Sequence, residues 1–88
     1  MSSTFEVRWH EDALDDLRTL DRPVARRIVD KVESTLSKNP KALGQALKGP
    51  LKGLRRYRVG NYRVVYLIEE GKLLILVVRV RHRKKVYR

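Results

Sequence analysis

Cysteine is absent from this 88-residue chain. Neither a disulfide framework nor a thiolate metal site can be built, and a small fold must hold by packing alone. A reducing compartment fits, so the cytoplasm is the expected location. Long hydrophobic runs are also missing: the longest, Leu73 to Val78, is six residues, too short for a membrane span. The N-terminal Met-Ser-Ser-Thr-Phe-Glu reads without the basic-then-apolar pattern of a secretory leader. At this length two independent modules or a deep-clefted enzyme are excluded, and residues 1–88 are expected to form one domain with a modest core. Acid is nearly lacking from the second half. Residues 1–44 hold 8 Lys+Arg and 8 Asp+Glu, whereas residues 45–88 hold 13 Lys+Arg against only Glu69 and Glu70.

The whole net charge of +11 therefore belongs to one half of the chain. A self-repelling cluster of that size points to a polyanionic partner, where solubility alone would need no such asymmetry. Lipid is a weaker candidate, because the basic half reads as strand and not as an amphipathic helix.

What is present is ordered periodicity. Thr4 to Trp9 alternates, with Phe5, Val7 and Trp9 on one side, as a half-buried strand does. From Glu11 the spacing becomes helical, through Ala13, Leu14, Leu17 and Leu20, with Asp12, Asp15, Asp16 and Arg18 on the solvated face. Asp21 reads as the N-cap of a second helix with Pro23 in its first turn. Its stripe of Ala25, Ile28, Val29, Val32 and Leu36 ends near Lys38-Asn39-Pro40. Residues 41–53, punctuated by Gly44, Gly49, Pro50 and Gly53, read as a basic connector with at most a short helical turn. Three strands follow, Leu54 to Val59, Tyr62 to Ile68 and Lys72 to Arg81, joined by Gly60-Asn61 and Glu69-Glu70-Gly71. The order β-α-α-β-β-β predicts an α+β fold: a two-helix hairpin on one face of a mainly antiparallel four-stranded sheet.

The first hairpin has a definite register. With Gly60-Asn61 as a two-residue turn, Arg58 lies opposite Arg63 and Tyr57 opposite Val64, so Arg56, Arg58 and Arg63 share one face. Tyr57, Val59, Tyr62, Val64 and Tyr66 take the other, where the helices belong. With these tyrosines in the core register, a base-stacking aromatic platform is not expected. For the third strand, a three-residue loop with Gly71 left-handed would send Leu74, Leu76, Val78 and Val80 to the helices. Arg79, Arg81 and Arg83 would then join the open face over Leu73, Ile75 and Val77. The result is a basic platform.

The segment Leu54-Arg55-Arg56-Tyr57-Arg58-Val59-Gly60-Asn61-Tyr62-Arg63-Val64-Val65-Tyr66, with the tail Arg81-His82-Arg83-Lys84-Lys85-Val86-Tyr87, resembles the RelE/ParE toxin superfamily. It looks closest to the RelE-type mRNA interferases, and the likeness extends over essentially the whole chain. The resemblance implies the toxin of a type II toxin–antitoxin system. Such a toxin is an endoribonuclease that cuts mRNA in the ribosomal A site and is neutralised by a cognate RelB-like antitoxin in a higher-order complex. It also implies catalytic roles for Arg63, Arg83 and Tyr87. The family's lysine pair is matched poorly, falling on Leu54 and Arg56 with Lys52 two residues before. Lys48, Arg55, Arg58, Arg79, Arg81, His82, Lys84 and Lys85 are the expected RNA contacts.

RNA can be cleaved by its own 2′-OH if that proton is removed, the charge on phosphorus is stabilised and the leaving 5′-oxygen is protonated. No metal or cofactor is required, and residues 45–88 lack the Cys and Asp that a zinc or two-metal site would use. Arginines 63 and 83 suit bidentate clamping of a phosphorane. A lysine amid positive charge is a better proton acceptor than an arginine, which makes Lys52 the candidate base ahead of Arg56. A histidine titrates in the useful range, but the plainer reading of His82 is a strand-end residue on the helix side. Glu11, Asp12, Asp15 and Asp16 read as solvated helix residues. The alternative is a ParE-like toxin that inhibits DNA gyrase and cuts nothing. A non-catalytic RNA-binding module remains if the lysine-to-arginine departure removes the base.

Overall fold

The computed structural model describes residues 4–84. Strand β1 (Glu6–Trp9) leads into helices α1 (Glu11–Arg18) and α2 (Arg22–Ser34). A 3-10 turn at Leu36–Lys38 and a short α3 (Pro40–Leu43) precede β2 (Gln45–Ala46). After a second 3-10 turn at Gly49–Leu51 come β3 (Arg55–Val59), β4 (Tyr62–Glu69) and β5 (Leu74–His82). The sheet order is β1-β5-β4-β3-β2, antiparallel except for the parallel β1–β5 pair. The α+β class and the element order are as expected, but the sheet has five strands where four were expected. The fifth is the two-residue β2, too short to leave a period-2 signature, and it exists because Gln45 and Ala46 pair with Arg56 and Arg55.

Helix α1 starts where the spacing changes, with the His10 ring accepting the Asp12 N–H at 3.0 Å. Asp21 holds the N-cap position of α2 and Pro23 lies in the first turn, yet the Asp21 side chain makes no capping bond. Ala13 and Leu17 of α1 and Ile28 and Val32 of α2 are buried. They pack with Val59, Val64, Tyr66, Ile75, Val77 and Val80 into one core on the helix side of the sheet. No helix among the described residues is long and apolar enough to cross a membrane.

The first hairpin has the expected register, Val59↔Tyr62, Arg58↔Arg63 and Tyr57↔Val64, with Gly60 at φ 57° opening the turn. The second corrects the expectation. Its connection is a 3-10 turn over Glu70–Lys72 followed by Leu73 at φ 50°, ψ 51°, so the left-handed residue is Leu73 and not Gly71. Register then shifts between Val65 and Tyr66, which face Arg79 and Val77 and leave Val78 as an extra residue in β5. This bulge inverts the alternation along β5. Ile75 and Val77 are in the helix-side core, as is Val80 beyond the bulge, while Leu74 and Leu76 are only half-buried. Six consecutive apolar residues carry no period, so helix packing and the bulge decide which of them go inside.

The connector is also more structured than its glycines suggest. Asn39 caps α3, accepting the Ala42 N–H, and the Tyr66 hydroxyl donates to the Pro40 carbonyl at 2.6 Å. Arg55 donates from Nη2 to the Lys41 and Gly44 carbonyls at 2.6 and 2.9 Å. Gly44 is required by contact: a Cβ there would lie 1.8 Å from the Tyr66 hydroxyl oxygen and 2.9 Å from the Arg56 carbonyl oxygen. Burial pushes the Tyr66 phenol above its ordinary pKa, and the neighbouring Arg55 guanidinium offsets this only in part. The phenol therefore stays protonated and remains the donor to Pro40.

Candidate functional site

On the face turned away from the helices, the registers place Arg58, Arg63 and Arg81 side by side across β3, β4 and β5. Directly opposed like charges destabilise a free sheet, and an anion lying across the row would remove that repulsion. Arg56 is in the next row, opposite Val65 on one side and Gln45 on the other. Arg56, Arg58 and Arg63 line a hollow of about 340 Å³ whose remaining walls are Leu43 and Gln45. Its lining contains no carboxylate among the described residues. Among the described residues none of these three arginines is paired with an acid. Arg56 donates to the Gln45 side-chain oxygen at 3.0 Å, and Arg58 to the Gly60 carbonyl at 3.1 Å. Val65, beneath this face, is only 3% exposed. A hollow with permanently charged, planar donors on one side and an aliphatic wall on the other can hold a phosphodiester together with its neighbouring base or sugar.

Other expected contacts lie elsewhere. Arg79 leaves the platform for α1: its Nε and Nη2 grip Asp16 at 2.9 and 3.0 Å, and the same carboxylate accepts the Val80 N–H at 2.8 Å. Strand β1 stops at Trp9, opposite Val77, so Asp16 caps the β5 edge that β1 no longer covers. Burial would raise the Asp16 pKa, but Arg79, the Val80 N–H and the more distant Arg81 together hold it below the ordinary carboxylate range. The same pair raises the Arg79 guanidinium, through the hydrogen bond to Asp16. Reading Asp16 as a solvated helix residue missed this. The available signal was its place beside Leu17, at the border of the buried stripe.

Arg55 faces the helix side and holds the connector carbonyls, with its Nε buried and unpartnered. Lys48 and Lys52 are exposed on either side of the Gly49–Leu51 turn and do not line the hollow. His82 lies opposite Tyr62 on the helix side, ring edge to face at 5.2 Å, and its Nδ1 accepts the Lys84 N–H at 3.2 Å. Arg83 leaves β5 exposed, with its N–H bonded to the Asn61 carbonyl at 2.7 Å at the tip of the first hairpin. Lys85 and Tyr87 lie outside the described residues. The residues that sequence reasoning missed in the hollow itself are Leu43, at the end of the connector's short helix, and Gln45, on a strand too short to read.

The family described as the ParE toxin of a type II toxin–antitoxin system, parDE, matches residues 7–87. Over 84 residues the chain is 37% identical to Toxin RelE of Mycobacterium tuberculosis, covering 96% of this chain and 87% of that protein. It is 31% identical to Toxin RelG of the same organism, covering 96% and 97%. Among solved structures, the toxin–antitoxin complex RelBE2 of M. tuberculosis contains a chain that superposes with a TM-score of 0.90 at 28% identity, with 97% and 98% of the two chains covered. The isolated E. coli RelE toxin superposes at 0.72 with 20% identity, covering 96% and 88%, a likeness of fold.

Proposed function

The chain belongs to the RelE/ParE superfamily of type II toxin–antitoxin toxins, and from that membership we propose that it is a metal-independent endoribonuclease cleaving mRNA on the ribosome. The observation that carries this reading is the carboxylate-free hollow into which Arg56, Arg58 and Arg63 converge. Arg63, central in the row of three arginines, clamps the scissile phosphate. As the 2′-oxygen attacks phosphorus and the P–O5′ bond breaks, charge grows on the non-bridging oxygens, where guanidiniums already in place stabilise it, and the departing 5′-oxygen takes a proton from water, leaving a 2′,3′-cyclic phosphate and a 5′-hydroxyl. Arg83 reaches the same phosphate from the end of β5. Lys52 lies outside the hollow in this structure, so it takes the 2′-OH proton only once the turn between Gly49 and Gly53 swings it over the platform, and Tyr87 stacks on a base. Strand geometry supplies the rigidity that such positioning needs.

Partner and control follow from the relatives. A cognate RelB-type antitoxin neutralises the toxin, in keeping with the RelBE2 complex that this chain resembles. An acidic, partly disordered segment folding onto the +11 chain would bind with electrostatic steering. Toxin and ribosome meet in the cytoplasm.

Purified toxin added to programmed ribosomes, with 5′ ends mapped after single turnover, tests the reading. New ends in phase with codons are expected, and Arg63→Ala should lower the rate roughly 100- to 1000-fold with the fold retained. DNA double-strand breaks and an SOS response on induction, without RNA ends, would establish gyrase poisoning instead.

A further inference from the structure

The hollow is larger and less uniform than a phosphate clamp requires. At about 340 Å³ it falls at the lower end of the roughly 300–1,000 Å³ typical of small-molecule pockets. Leu43 contributes an aliphatic wall although it is 44% exposed, and a phosphate gains nothing from such a wall. The flat face of a nucleobase does gain from it, because it buries apolar surface there. Leu43 and Gln45 are also held in place. Tyr66 and Arg55, from the opposite side of the sheet, anchor the Pro40, Lys41 and Gly44 carbonyls, which bracket Leu43 and precede Gln45.

The Gln45 amide has a defined orientation. Arg56 Nη2 lies 3.0 Å from Gln45 Oε1, and a guanidinium can only donate, so the oxygen must face Arg56. The Nε2 amino group is then the free end, carrying two N–H donors and no acceptor. We propose that Leu43 and Gln45 form a nucleobase seat beside the arginines, and that Gln45 selects a keto base, guanine or uracil, over an amino base, adenine or cytosine. The proposal takes its substrate class, RNA, from the nuclease reading above. A fixed donor meets O6 of guanine or O4 of uracil productively, whereas the amino groups of adenine and cytosine at the same edge set donor against donor. Leu43 supports whichever base is seated and does not discriminate.

The test is a base-by-base measurement with the full chain. Ribosomes are programmed with codons varied at each position in turn, and single-turnover cleavage rates are ranked by base. In parallel, binding of all-U and all-A hexaribonucleotides to the free toxin is measured by fluorescence anisotropy. At one position, and in the hexamer pair, a keto preference of about tenfold is expected. Gln45→Glu keeps an acceptor for Arg56 but replaces the free donor by a second acceptor, and should reverse the ranking. Gln45→Leu should flatten it, and Leu43→Ser should weaken all bases alike. A merely structural role for Gln45 would scale every substrate equally. Because Gln45 is exposed on an edge strand, circular dichroism serves as the check on folding. A ranking unchanged in both Gln45 variants overturns the seat even if RNA is cut normally. A Gln45-dependent hexamer preference in a protein that cuts nothing supports the seat while overturning the nuclease reading.

Discussion

Asp16 and Asp15 are neighbours on one helix and identical in chemistry, yet the structure assigns them opposite energetic weights. Asp15 is exposed and, among the described residues, pairs with the exposed Arg18 three residues on. Such surface pairs contribute about 0–1 kcal/mol. The Asp16 side chain is 17% exposed, and it accepts three hydrogen bonds, two from Arg79 and one from the Val80 N–H. Asp16→Ala strands a backbone donor on the β5 edge and releases a half-buried guanidinium, a loss of about 1–3 kcal/mol from the unsatisfied groups. For a domain of this size that corresponds to a fall in Tm of roughly 4–8 °C per kcal/mol. Asp15→Ala should move Tm by no more than about 2–4 °C, since surface changes stay within about 0.5 kcal/mol. The pH dependence adds a second, signed readout. The Asp16 carboxyl is held low in the folded chain and is ordinary in the unfolded one, so its stabilisation is complete above the ordinary carboxylate range. It is lost as pH falls through the lowered folded value. The difference in urea midpoint between parent and Asp16→Asn should therefore be constant near neutrality and shrink in acid. Equal midpoints for Asp16→Ala and Asp15→Ala, or a gap that does not change with pH, would refute the edge-capping argument.

Relieving the row of arginines by Arg58→Thr should raise Tm slightly in low salt, by the equivalent of about 0.2–1 kcal/mol, with the gain fading as salt is added; a salt-independent change would count against like-charge strain. Gly44→Ala should destabilise by about 1–3 kcal/mol although the Gly44 backbone, at φ −102° and ψ 173°, suits any residue, because the new methyl meets the Tyr66 hydroxyl; chemical denaturation measures it, and Gly44→Ala with Tyr66→Phe should recover part of the loss. In single-turnover cleavage on ribosomes, Lys52→Ala should change the shape of the pH–rate profile, whereas Arg56→Ala should lower the rate without changing that shape; a parental profile in Lys52→Ala would remove it as the base.

Much of the fold was legible because local chemistry and periodicity agreed. The β1 alternation, the stripes of α1 and α2, Pro23 in a first turn and Gly60-Asn61 at a hairpin tip each specify their own element. The hairpin register then places Arg56, Arg58 and Arg63 on one face without further information. The charge partition between the halves, and with it the expectation of an anionic partner, is likewise a property of the sequence alone. What tertiary structure decided are matters that depend on residues distant in sequence. Residues 73–78 are uniformly apolar, so only the bulge at Val78 and the packing of the helices chose Ile75 and Val77 for the core. Arg79 left the platform because Asp16, 63 residues earlier, offers it a carboxylate at the bare edge of β5. The connector's glycines suggested only a loop. Tyr66 and Arg55 turn it into a wall: the buried Tyr66 hydroxyl needs an acceptor, the half-buried Arg55 Nη2 finds two, and the connector carbonyls are the ones within reach.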